Sequence, residues 1–130
     1  MFSRMVTLAG ARHKQKGSRK SLAYIVPAAI IIPSEAIMLH DENGIYISNF
    51  EVDSRPVVIP ATKGRIMRHR PKIEKWCATI PFEIDTSVLD VATIHQLLEE
   101  GGRREGIGDY RPNRGGPYGR FAVTSWDFKE

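Results

Sequence analysis

Residues 101–119 hold seven glycines, two prolines and four arginines, and no other stretch limits the fold as strongly. In a helix interior glycine costs about 1 kcal/mol against alanine and proline about 3, and both are depleted from strands. The segment is therefore expected to be a loop. It exceeds the usual connection length in a compact domain, which favours a functional loop over a plain connector. Regular structure must come from what precedes Gly101 and from the tail that begins at Arg120.

The clearest helix ends at this loop. Asp90 is a suitable N-cap for Val91 to Glu100, with Val91, Ile94, Leu97 and Leu98 on one stripe and Gly101 as the stop. Before it, Trp76, Ala78, Ile80, Phe82 and Ile84 alternate with polar or small residues, the pattern of a strand with one buried face, and Pro81 marks an edge or bulge within it. Trp76, Ile80, Phe82, Ile94, Leu97 and Leu98 are the expected shared core. Ser3 to about Lys16 reads as another helix, followed by a basic loop. Ile30 to Ile32 and Ala36 to Leu39 read as short strands separated by Pro33. Asn43-Gly44 suits a tight hairpin whose central residues both have positive φ, with Ile45 to Val52 as the returning strand. Val57 to Ile59 is a further extended piece, and Arg120 to Phe128 is expected to be the last strand. Two helices on one face of an antiparallel sheet make an α+β fold, expected as a single domain over residues 1–130.

Charge is distributed in blocks. Residues 1–34 carry six Lys/Arg and no acid, 35–53 five acids and no base, 54–82 seven bases against Glu74, 83–100 five acids and no base, and 101–120 five arginines against Glu105 and Asp109. Gathered on one face, the basic blocks would form a phosphate-binding surface. As solvated neighbours, blocks of opposite sign would neutralise one another.

Arg103, Arg104, Arg111, Arg114 and Arg120 can supply charge and paired donors to phosphate, while Gly106 and Gly108 let backbone amides approach closely. Tyr110 and Tyr118 lie among these arginines and are the better placed aromatics for base stacking. A second cluster comprises Lys63, Arg65, Arg68, His69, Arg70 and Lys72. An extended strand there would present Lys63, Arg65 and His69 on one side and Arg68 on the other. The competing reading gives the glycines to turn geometry and the arginines to Glu105 and Asp109. Trp126 fits either a core or a stacking role.

Gly106-Ile107-Gly108 follows a helix, so it is no dinucleotide fingerprint, and no P-loop lysine is present. No cofactor is expected. The four histidines have no ligand spacing and Cys77 is the one cysteine, so no metal site is expected. A base role for His40 or His69 has no motif behind it, and the chain is expected not to be an enzyme. One unpaired cysteine, no signal peptide and an apolar run from Leu22 too short to span a bilayer give a cytoplasmic expectation with no membrane partner.

The segment Gly101 to Val123, which follows the helix with Leu97 and Leu98, resembles the glycine-rich loop of the CRISPR-associated RAMP superfamily. Around and within it, Met67-Arg68-His69-Arg70-Pro71, Trp76, Leu97 to Arg104, Gly106 to Pro112 and Gly119 to Phe121 follow one another in that order. They are also similar to phage-encoded proteins of unassigned function with a GIGDxRP...GRF pattern. The resemblance implies a ferredoxin-like, RRM-like antiparallel sheet whose loop holds an RNA backbone. Its first strand is missing here, which leaves an edge that self-association or a partner strand could fill. The expectation is a noncatalytic module binding RNA or single-stranded DNA. The alternative is a phage anti-CRISPR-type inhibitor that binds or imitates a subunit of a ribonucleoprotein complex.

Overall fold

The computed structural model describes residues 1–32 and 36–129; Pro33, expected to separate two strands, lies outside them. The fold is α+β, and its contacts gather into two compact units, Met1–Pro33 with Pro81–Glu130, and Ser34–Ile80.

In the first unit the apolar stripe of α1, Phe2–Gly10, packs on α3, Val91–Glu100. Met5, Val6 and Ala9 recur at helical spacing and are buried with Ile94, Leu97 and Leu98, and Leu22, Val26, Ala29, Ile30 and Leu89 complete the core. The short helix α2, Val26–Ala29, admits Pro27 within its first turn, where the missing N–H costs no bond. A brief ladder joins β1, Ile30–Ile31, to β6, Glu83–Ile84. Phe82 and Trp126 pack on the core, with their ring centroids 5.8 Å apart.

The helices depart from the sequence expectation at their ends. α1 stops at Gly10 instead of running towards Lys16: the Ala11, Arg12 and His13 amides turn to the carbonyls three residues back, of Leu8, Ala9 and Gly10, at 3.2, 3.2 and 3.1 Å. The basic run beyond it also offers no apolar residue to bury. α3 starts where Asp90 predicts, and Asp90 bonds the Thr93 hydroxyl. Gly101 does not stop it: the chain continues through a wider turn, Gly101–Glu105, closed by Gly106 N–H to Gly101 O at 2.8 Å, and ends at Gly106 with φ 68°.

The second unit is built from two ladders, and none of its described residues is buried. β2, Leu39–His40, pairs with β5, Cys77–Ala78. β3, Glu51–Val58, pairs over its whole length with β4, Arg65–Lys72. The Asn43-Gly44 turn forms, but only Gly44 has positive φ there. Its geometry comes instead from Asp41, whose carboxylate accepts the Asn43 and Ile45 amides.

Three sheet expectations are corrected. Among the described residues the strands pair two by two in three antiparallel ladders, where a ferredoxin-like unit would join them in one sheet. The run from Trp76 to Ile84 is not one strand: it breaks into β5 and β6, which serve different ladders in different units. Proline at position 81 supplies no ladder donor at the break. Trp76 and Ile80 accordingly stay half-buried in the second unit, outside the core that Phe82 joins. Finally, Ile45–Phe50 and 120–128 form no strand; the former contributes a single bridge, His40 to Tyr46, and the latter is fixed by Phe121 N–H to Gly102 O at 3.0 Å.

The open edges of the β3–β4 ribbon are partly blunted. Counting back from the Ile59 N–H to Gly64 O bond at the turn, Pro56 and Pro71 both fall on positions whose nitrogen faces outward. Neither proline weakens the ladder, and each removes a donor from its edge.

Leu97 is 1% exposed, so Leu97→Ala is expected to cost about 2 to 5 kcal/mol in urea unfolding. Met67→Ala, on the exposed ribbon, is expected to cost under about 0.5 kcal/mol. Similar losses in both variants would contradict the placement of the core.

Candidate nucleic-acid interface

The glycine-rich segment is organised by one buried carboxylate. Glu105 is 3% exposed, pairs with the Arg12 guanidinium, and accepts a hydrogen bond from the Asn113 amide at 2.9 Å. A charge this far from water needs such partners. They come from the turn after α1 and from the short helical turn Pro112–Arg114. Alongside, His13 Nε2 meets the Glu100 carboxylate at 2.7 Å. That hydrogen bond holds the Glu100 carboxyl below its ordinary value; partial burial opposes the shift, and the charges of His13, Arg104 and Arg103 add to it.

Several glycines answer to the chain's own packing. A Cβ on Gly102 would lie 2.5 Å from the Phe121 carbonyl oxygen, and one on Gly119 would collide with the Ile107 carbonyl, whose amide bonds Gly119 O at 3.0 Å. Gly106 closes the helix. Gly108 alone of the expected cradle pair is open: φ is 99° and a Cβ would meet nothing within 4 Å, but its N–H points to the Met1 sulfur at 3.0 Å.

The arginines divide. Arg111 is half-buried and donates to the Gly108 carbonyl at 2.8 Å, so it braces the loop. Arg103, Arg104, Arg114 and Arg120 are exposed, and none takes part in the ion pairs formed among the described residues. Arg103 and Arg120 line an open groove of about 480 Å³ with Glu99, Phe121, Ala122 and Val123. Tyr110 and Tyr118 are in tilted contact, their centroids 6.0 Å apart, and Tyr118 is 38% exposed.

The second cluster lies in the other unit. Arg65 and His69 share one face of β4, as their spacing predicts, and His69 Nδ1 is hydrogen-bonded to the Ser54 hydroxyl across the ribbon at 2.7 Å. Lys63 is not in the strand; it occupies the turn, with φ 54°. Arg68 and Arg70 occupy the opposite face, facing Arg55 and Asp53 in the register, and Asp53 pairs with Arg55 at 3.0 Å. The ribbon face with Arg65 and His69 also exposes Val52, Pro56, Val58, Met67 and Pro71. Trp126 is settled as a packing residue, its ring 4.6 Å from that of His95.

Sequence reasoning missed Arg12, His13, Glu100 and Asn113 as organisers of the segment, since ion pairs between distant segments leave no periodic trace. The described residues contain no cluster of three metal-ligating side chains and no helix long and apolar enough to cross a membrane. No protein family, curated protein or solved structure matches the chain.

The lowered Glu100 pKa sets an expected pH dependence. Its stabilisation is complete above the ordinary glutamate value of 4.5 and is lost as pH falls through the lowered folded value. Thermal melts from about pH 6 down to about pH 3 should therefore show the advantage of the parent over Glu100→Gln shrinking with acidification. A gap that is constant with pH would mean that the His13 contact contributes no charge-dependent stability. Gly119→Ala should unfold the segment at any pH in this range, seen as loss of several degrees in Tm.

Proposed function

We propose that the chain is a noncatalytic module that binds RNA or single-stranded DNA, with Arg103, Arg104, Arg114 and Arg120 on phosphates. One observation carries this reading: of the two acids expected to neutralise these arginines, Glu105 is committed to Arg12 and Asn113, while Arg103, Arg104, Arg114 and Arg120 are exposed beside glycine-rich turns. Like charges held together this way favour a polyanion. The groove at Arg103 and Arg120 adds Phe121 as an apolar wall, and the exposed ring of Tyr118 suits a stacked base. Arg65, Arg68, Arg70 and Lys63 would add contacts from the ribbon.

The RAMP-like resemblance enters at this level. Antiparallel strands, two main helices and a glycine-rich segment directly after α3 support it, while a ferredoxin-like sheet would require the three ladders to be joined. The second reading, an inhibitor of a ribonucleoprotein complex, draws on a different feature. The ribbon unit exposes Met38, Tyr46, Phe50, Val52 and Met67, each more than half exposed, a surface suited to a protein partner.

Salt titration of binding to labelled single strands separates the two. Each lost phosphate contact on a single strand lowers the log–log salt slope by about 0.7, so Arg103→Ala with Arg120→Ala should reduce it by about 1.4 at unchanged Tm. Arg111→Ala should instead lower Tm with little change in slope. Absence of any binding by the parent at low salt would exclude the nucleic-acid reading and favour the protein partner.

A further inference from the structure

The segment between α1 and α2 is an ordered loop with an unusual charge. Lys14 and Ser21 form an isolated antiparallel bridge, the Gln15 amide bonds the Lys20 carbonyl at 2.9 Å, and Ser18 N–H bonds the Gln15 carbonyl at 3.0 Å. The Ser18 hydroxyl accepts the Lys20 amide at 3.1 Å, and Gly17 supplies the positive φ of 75° that the turn requires. This hairpin-like loop carries Lys14, Lys16, Arg19 and Lys20, all exposed, and none takes part in the ion pairs formed among the described residues. No acid occurs between residues 1 and 34.

Its base is tied to the glycine-rich segment. Arg12 and His13, immediately before the bridge, are the residues that reach Glu105 and Glu100, and the Leu22 amide bonds the His13 carbonyl at 2.8 Å to close the loop from the other side. The two acids that meet the foot of the loop are thus used by Arg12 and His13. Four cations on a turn held by backbone bonds repel one another, and that arrangement is stabilised by an anion which spans several of them.

We infer that the Lys14–Lys20 loop is a second phosphate-contact site, engaging the same single strand of nucleic acid as Arg103 and Arg104. The Arg12–Glu105 and His13–Glu100 pairs join the two basic segments at the end of α3, so one backbone can run from the turn onto the loop. The inference rests on the nucleic-acid reading above and extends it to residues outside the glycine-rich segment. Lys16 and Arg19 are the informative pair, since neither belongs to the bridge.

The test is the salt dependence of binding of the full chain to fluorescein-labelled 20-nucleotide oligouridine and oligothymidine. Lys16→Ala with Arg19→Ala is expected to lower the log–log slope by about 1.4 with Tm unchanged. Lys16→Arg with Arg19→Lys, which preserves charge, should restore the parent slope. If the alanine pair keeps the parent slope while Arg103→Ala with Arg120→Ala lowers it, the loop is a solvated turn and this inference alone is overturned. If the parent binds neither oligonucleotide at low salt, the nucleic-acid reading and this site fall together.

Discussion

A carboxylate withdrawn from water must find donors or lose its charge, and at Glu105 this requirement recruits two remote segments. Arg12 arrives from the end of α1 and Asn113 from the turn beyond Gly108. Apolar packing of α1 on α3 brings the helix ends together, but it does not decide the path of the chain past Gly101. The buried charge does, because moving the loop would strand it. The same pairing explains how a segment so rich in glycine is held in one arrangement: its order comes from a charged anchor and from close backbone approaches such as Gly102 to Phe121.

The glycine-rich segment is shaped largely by its own packing. Gly102, Gly106 and Gly119 serve the chain's own geometry, and Arg111 braces the backbone. The proposed phosphate contacts fall on Arg103, Arg104, Arg114 and Arg120, whose side chains are exposed. A loop of this kind can be rigid because of its glycines and still present its cations outward. Phosphate recognition would then rest on side-chain charge more than on a cradle of backbone amides.

Local signals were legible in the sequence and long-range ones were not. The start of α3 follows from Asp90, and the apolar side of α1 from Phe2, Met5, Val6, Leu8 and Ala9, of which Met5, Val6 and Ala9 are buried. The strand from Trp76 to Ile84 misled because alternation reports which side of the chain is shielded and not which strand shields it. Burial does alternate from Trp76 through Ile84, although Pro81 divides the run between two ladders. Pairing of β3 with β4 was hidden by the prolines and charges that both strands carry. The ties from Arg12 and His13 to Glu105 and Glu100 have no sequence period to betray them, and without them the two basic segments look unrelated.

The β1–β6 ladder has a topological consequence. Ile31 lies directly opposite Glu83, so the chain leaves the helical unit and re-enters it on paired residues of one antiparallel ladder. Ends at that separation are the kind that a short turn can join. In chain order, residues 34–80 are therefore an insertion between paired positions of one ladder.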